Sequence, residues 1–225
     1  MSAPDYGRAF ALWRQAAGAH WDAYTGHDFV RQLAAGTLRR ENFLHYLRQD
    51  YVFLLHFARC WALVAAKSDR MAEMQAALTI AHGLIHDEMP LHVTLCAREG
   101  ITGETLADTP ESPANMAYTR YVQATGYAGD ILDLLAALAP CVLGYGEIGR
   151  RHADSGGPYG EWTATYGGEE YQALCRQTGA LIDRAIEARL GPDWPSLPRA
   201  VTLARHFTQA TQLEVGFWQM GLDRA

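Results

Sequence analysis

Residues Leu134–Gly146 read LLAALAPCVLGYG, thirteen residues without a charge. The stretch is apolar on every side, as a helix buried in the middle of a bundle is. Pro140 sits inside it. A proline removes one backbone N–H and presses on the carbonyl one turn back, so a bend or break is expected there. The carbonyl of Ala136 is then left without its helical donor, which is costly unless something uses it. Cys141 follows the proline, and Tyr145 lies four residues on, over the same face. A thiol beside a kink in a central helix, one turn from a phenol, is a place for chemistry. The plain alternative is a cysteine acting as a small buried hydrophobe.

The chain on either side reads as helices that can wrap around this core. Helical spacing runs from Asp5 to His20, from His27 to Ala35, from Glu41 to Lys67 and from Met71 to Glu99, the last with Pro90 as an irregularity. Further helices are expected over Asn115–Thr125, Ala128–His152, Tyr159–Ala164, Glu169–Arg189 and Arg199–Gly221. Residues 101–114, ITGETLADTPESPA, read as the longest loop, a linker or lid. No strand alternation or hairpin signal is visible. The fold class expected is all-α, with residues 1–225 as one helical domain.

Hydrophobic residues make up 49% of the chain, enough for a sizeable core. Nineteen basic against 25 acidic side chains give a formal charge of −6. Nucleic acid and anionic membranes both want a basic face, so neither is expected as a partner. A small ligand is. The four cysteines are widely spaced, with no Cys-x-x-Cys pair, and fit neither a disulfide framework nor a zinc ribbon. No leader peptide is apparent, and no apolar run reaches the length of a membrane span. A reducing cytoplasm is the expected location.

Three further groups could carry function. Asp50 lies among Leu47, Tyr51, Phe53 and Leu54, so it is either a buried carboxylate that needs donors or a solvated one paired with Arg48. Glu214 precedes Phe217 and Trp218. Beside aromatics its pKa could rise and make it a proton donor, or it could be an ordinary surface residue. His82/His86 and Glu88/His92 stand at i, i+4, which is metal-ligand spacing on a helix. A di-metal bundle needs a matching pair elsewhere, and Glu147 with His152, five apart, does not supply it. No metal is expected.

The order of short motifs is distinctive: Gln49-Asp50, then Glu88-Met89-Pro90-Leu91-His92, then Pro140-Cys141 through Gly144-Tyr145 to Glu147-Ile148-Gly149, then Thr165-Tyr166-Gly167-Gly168, then Glu214 with Phe217-Trp218 and Met220. In this order the chain resembles the TenA / thiaminase II family, the aminopyrimidine aminohydrolases, over nearly its whole length. The resemblance implies a haem-oxygenase-like helical bundle, a homotetramer, and no cofactor. It implies hydrolysis at the methylene carbon of a 4-amino-2-methylpyrimidine, releasing ammonia from the 5-aminomethyl compound or thiazole from thiamin, in thiamin salvage.

Carried over by position, the resemblance implies Cys141 as nucleophile and Glu214 as acid/base. It implies Asp50 as the carboxylate that holds the aminopyrimidine edge. Tyr118, Tyr145, Tyr166 and Phe217 would surround the ring. Many relatives have a tyrosine where this chain has Phe53, which implies a slower enzyme rather than an inactive one. An ionised Glu214 would disfavour the Cys141 thiolate, so the two are expected to share one proton and titrate together. Two other readings remain open: a haem-oxygenase-like oxidase, di-metal or cofactor-free, and a pyrimidine-binding or regulatory protein without turnover.

Overall fold

The computed structural model describes residues 3–225. The helix that contains the opening stretch spans Ile131–His152 and is called α9 here. Its start is set by a capping box. Asp130 Oδ1 accepts from the Leu132 and Asp133 amides at 2.8 and 3.2 Å, and Asp133 Oδ2 accepts from the Asp130 amide at 3.0 Å. Arg150, Arg151 and His152 close its negative end. Every residue from Ile131 to Gly149 is buried. By length and composition α9 could cross a membrane, with a mean hydropathy of 1.6 over its best window, which corrects the expectation that no run is long enough. Here that window lies wholly inside the protein.

The rest of the fold encloses α9. In chain order come α1 (Arg8–Ala17), α2 (Ala19–Thr25), α3 (Asp28–Ala34), α4 (Arg40–Lys67), α5 (Met71–Gly83), α6 (Met89–Ala97), α7 (Gly103–Ala107) and α8 (Pro113–Ala128). After α9 follow α10 (Gly160–Gly167), α11 (Glu169–Leu190) and α12 (Pro198–Asp223). Helices α2, α4, α8, α10, α11 and α12 all pack on α9. Among the described residues no strand occurs. Two glycines of α9 let neighbours approach its axis: a methyl group at Gly144 would overlap the Tyr24 ring, and one at Gly149 would overlap the backbone at Tyr166.

Four boundaries differ from expectation. The first helix divides at Gly18, whose φ of 50° lies where glycine is favoured, so that α2 turns back toward α9. The helix expected over Met71–Glu99 contains one π-helical turn, Leu84–Glu88. Pro90 cannot donate to the carbonyl one turn back, and widening the turn before it relieves the clash. The 101–114 segment holds a short helix, α7, capped by Thr102. Its second half is tied to α4, because Gln49 Nε2 donates to the Pro110 carbonyl at 2.9 Å and Gln49 Oε1 accepts from the Ser112 amide at 3.0 Å. It therefore packs as part of the wall. Finally, α9 starts at Ile131 behind its Asp130 cap, three residues after the expected Ala128, and runs through Pro140 as the one helix expected to His152.

Candidate active site

Helix α4 brings Asp50 inward. It is 3% exposed, which decides between the two readings of this residue in favour of burial. Its donors come from its own helix and from α6. Tyr46, one turn earlier, donates to Asp50 Oδ2 at 2.9 Å, and His92 Nε2 lies 2.7 Å from the same oxygen. His92 Nδ1 sits 2.9 Å from the Glu88 carbonyl oxygen. A carbonyl only accepts, so Nδ1 carries a proton. The 2.7 Å contact on the other side needs a proton as well, which Nε2 and Oδ2 share. Burial by itself would lower the His92 pKa, but the hydrogen bond and charge of Asp50 outweigh it and raise the value above the ordinary one.

The chain of phenols continues from there. Trp162 Nε1 can only donate, and it donates to the Tyr46 hydroxyl at 3.3 Å. Tyr46 spends its own proton on Asp50, so Tyr145, 3.3 Å away, is the donor to Tyr46. Tyr166 packs edge-on to Tyr145 at 5.0 Å and donates to Glu88 Oε1 at 2.7 Å. Glu88 is half-buried, and desolvation pushes its carboxyl up to about 7.

On the opposite wall α12 presents Glu214, 1% exposed. Tyr118 from α8 donates to its Oε1 at 2.8 Å. No cation pairs with it among the described residues. Desolvation pushes its carboxyl up to about 8, partly offset by Tyr118 and by Tyr24, whose hydroxyl is within reach. The Tyr118 ring packs on Phe53 at 4.9 Å, and Phe53 packs on Phe217 at 5.4 Å. Cys141 from α9 faces this space and keeps 8% of its surface. Its thiol is held well above the ordinary pKa by burial first, then by the charges of Glu214, Glu88 and Asp50. Burial therefore keeps both Cys141 and Glu214 neutral near pH 7. Burial acts on both groups in the same direction, toward the neutral form.

The fold thus brings Asp50, Phe53, Tyr118, Cys141, Tyr145, Tyr166, Glu214 and Phe217 to one place. It adds Tyr24, Tyr46, Glu88, His92 and Trp162. Tyr46 stands one helical turn from Asp50, and Glu88 with His92 bounds a quoted motif, so both carried a signal in the sequence; Tyr24 and Trp162 carried none. His82 and His86 do not join them. Their rings lie 4.2 Å apart at a tilt of 33° on the exposed side, while His92 is buried. Among the described residues no group of three or more histidine, cysteine, aspartate or glutamate side chains is arranged to hold a metal ion.

An all-helical enclosure of a central apolar helix, with a buried polar cluster at its middle, defines the haem-oxygenase-like class. A solved Shewanella denitrificans domain described as having a heme oxygenase-like fold superimposes with a TM-score of 0.73 over 96% of this chain and 92% of its own, at 13% identity. The TENA/THI-4/PQQC family model matches residues 14–224, and the chain belongs to that family. A solved protein from Silicibacter sp. TM1040, described as a TenA family transcription regulator, is 55% identical over 99% of both chains, with a TM-score of 0.95. The aminopyrimidine aminohydrolase of Halalkalibacterium halodurans is 30% identical, over 90% of each chain.

Proposed function

We propose that this protein is an aminopyrimidine aminohydrolase. Its substrate would be 4-amino-5-aminomethyl-2-methylpyrimidine, or thiamin with thiazole as the leaving group, and its role thiamin salvage. The observation that carries the reading is a buried thiol opposite a buried, neutral carboxyl that has phenols for partners and no cation. A binding pocket needs neither group in that state. A proton donor to a departing amine needs a carboxyl that keeps its proton near pH 7.

The chemistry follows from the residues. Asp50 Oδ2 is occupied by Tyr46 and His92, which leaves Oδ1 for the N–H of an aminopyrimidine edge. The proton shared by Asp50 and His92 is available to a ring nitrogen. Cys141 Sγ bonds to a ring carbon as the nitrogen gains a proton, a net addition of S–H across the ring that ends its aromaticity. The ring then expels the amine, which takes the Glu214 proton and leaves as ammonia. Water adds to the resulting methylene carbon and returns a proton to Glu214. The Sγ–C bond breaks, the thiol recovers its proton, and the 5-hydroxymethyl pyrimidine departs. Tyr118, Tyr145, Tyr166, Phe53 and Phe217 line the ring's surroundings.

The same reading takes the whole chain as one domain in the cytoplasm, where buried thiols such as the four free ones here stay reduced. It also takes the protein as a homotetramer. Met71, Leu78 and Ile85 are exposed at seven-residue intervals and offer a face for a second copy. A regulatory reading is favoured by the description of the Silicibacter relative alone, and the net charge of −6 weighs against direct contact with nucleic acid.

The test is ammonia release from the aminomethyl pyrimidine, with thiamin alongside, for the wild type and Cys141→Ser. Turnover that falls by about 1,000-fold or more in the variant supports the reading, because hydroxyl is a far poorer nucleophile than thiol here. Wild-type protein that binds the pyrimidine in calorimetry without turning it over would select the binding protein.

A further inference from the structure

Tyr166 is fully buried on α10, and its hydroxyl has a single hydrogen-bond partner among the described residues, Glu88 Oε1 at 2.7 Å. Its ring packs on Trp162 at 4.5 Å and edge-on to Tyr145 at 5.0 Å, the two side chains that donate to Tyr46 beside Asp50. Glu88 ends the π-helical turn and is half-buried, with its Oε2 unpartnered in the protein and not fully enclosed. A phenol has one proton to give. When Glu88 is ionised it can only accept, so Oε1 holds the Tyr166 proton and the phenol shows the site lone pairs alone. When Glu88 is protonated, its own O–H can point at the Tyr166 oxygen, and the phenol proton is free for an acceptor in the site. A separation of 2.7 Å suits an O–H···O bond in either direction.

We infer that Glu88 is a positioning residue that acts through Tyr166: its proton decides whether the buried phenol donates to a bound ring or only accepts from it. The inference rests on the aminohydrolase reading for the identity of that ring. Asp50 and His92 serve the amino group and the ring nitrogen beside it. The second ring nitrogen of an aminopyrimidine accepts when neutral, and once buried it needs a donor opposite it. The groups that face Glu88 are His92 on α6, Asp50 on α4, Cys141 on α9 and Tyr171 on α11, while His82, His86 and Asp87 are exposed. Tyr171 donates to the Val142 carbonyl at 3.4 Å, so it does not take the place of Tyr166. Desolvation is the largest influence on the Glu88 carboxyl and carries it up to about 7; Asp50 adds to this, and His92 and Tyr166 offset it.

The consequence for binding has a definite sign. Below about pH 7 the phenol is free to donate to a neutral ring nitrogen; above it, binding must either forgo that bond or take up a proton. Glutamine offers a donor as protonated glutamate does and cannot ionise, so Glu88→Gln keeps Tyr166 free to donate at every pH. The probe is the 5-hydroxymethyl pyrimidine product, which has no amine to lose, and its Kd is read by calorimetry from about pH 6 to about pH 8.5 in wild type and Glu88→Gln. Titration of the ligand itself is common to both proteins and cancels in their ratio.

At the acid end the two proteins should bind within about twofold of each other, and at the alkaline end the wild type should bind about fivefold more weakly, the worth of one neutral hydrogen bond. In a Tyr166→Phe background the same ratio should stay flat, because the effect passes through the phenol. A ratio that does not change with pH, or that changes equally without the phenol, would overturn the inference. A second measurement needs no ligand. The carbon-13 resonance of the Tyr166 ζ carbon, assigned by its loss in Tyr166→Phe, reports the hydrogen bonding of the phenol. It should shift with a midpoint at about pH 7 in the wild type and stay in place in Glu88→Gln. A wild-type resonance that does not move would also overturn the inference. If the pyrimidine binds at no pH, the aminohydrolase reading fails while the resonance still judges Glu88 and Tyr166.

Discussion

Two glutamates, both almost fully buried, one on α9 and one on the helix α12 packed against it, are held in opposite ways. Glu147, on α9 itself, accepts from Arg14 at 2.9 Å through both of its oxygens, from Trp21 at 3.0 Å, and from Arg151. Desolvation alone would raise its pKa, but the Arg14 hydrogen bonds and the two guanidinium charges outweigh it and hold the value below the ordinary one. Glu214, on α12, has phenols and no guanidinium, and burial pushes it up to about 8. One carboxylate is a charged rivet that pins α1 and α2 onto the core. The other is a stored proton. Residue type and burial are the same in the two places, and the partners decide which job each does.

The largest effect that would test this contrast is on Glu214→Gln. Removing the proton donor should lower ammonia release by about 100-fold to 10,000-fold. Stability should move the other way. Below about pH 4.5 the native and unfolded carboxyls are both protonated; between there and about 8 only the native one keeps its proton, so this group takes stability away as pH rises through that window. The Gln variant should therefore gain in Tm relative to wild type from pH 5 to 8, read by thermal denaturation at several pH values. A variant that loses stability at pH 8 would place Glu214 with Glu147 as a rivet.

Glu147→Gln should do the reverse. It leaves Arg14 and Arg151 without their carboxylate and should cost about 2 kcal/mol in urea unfolding, a value reduced because both guanidiniums keep some contact with water. The native pKa is depressed, so the stabilisation is present above the unfolded value and is lost as pH falls through the native one. Wild type and variant should converge in stability as pH falls below the depressed native value. Turnover per folded molecule should change little.

The smallest effect belongs to the intermediate case. Asp50 is buried with a histidine, so its partner can pass a proton where a guanidinium cannot. His92→Gln keeps a donor to Asp50 Oδ2 and loses the shared proton, and should lower kcat/KM about tenfold. The raised His92 pKa adds stability below its unfolded value, and this is lost as pH rises through the native one. The variant's stability deficit should thus be larger at pH 6 than at pH 9. An equal deficit at both would mean that His92 acts only by packing.

Much of this was legible in the chain. An uncharged stretch around Cys141, flanked by segments of helical spacing, already requires a buried central helix, because apolar surface on all sides must be covered on all sides. Asp50, Cys141, Tyr145 and Glu214 were likewise visible as polar interruptions of apolar stretches, whereas Phe53, Tyr118, Tyr166 and Phe217 were placed only by the resemblance of the motifs. The breaks at Gly18 and over Leu84–Glu88 were less visible, since local spacing is the same on both sides of each. Pro140 allowed a bend or a break within the one helix expected there, and the helix does not break. One missing hydrogen bond in a helix packed on every side costs less than the packing that a break would forfeit.

The sequence by itself therefore determined the class of fold, the central helix, and the identity of the thiol and carboxyl that meet there. Only the tertiary structure decided their states. Whether a glutamate is ionised depends on what residues distant in the chain bring within hydrogen-bonding reach: Arg14 for Glu147, Tyr118 for Glu214, His92 for Asp50. Local sequence sets which face of a helix a side chain occupies. The desolvation and the partners that fix its proton belong to the packed whole.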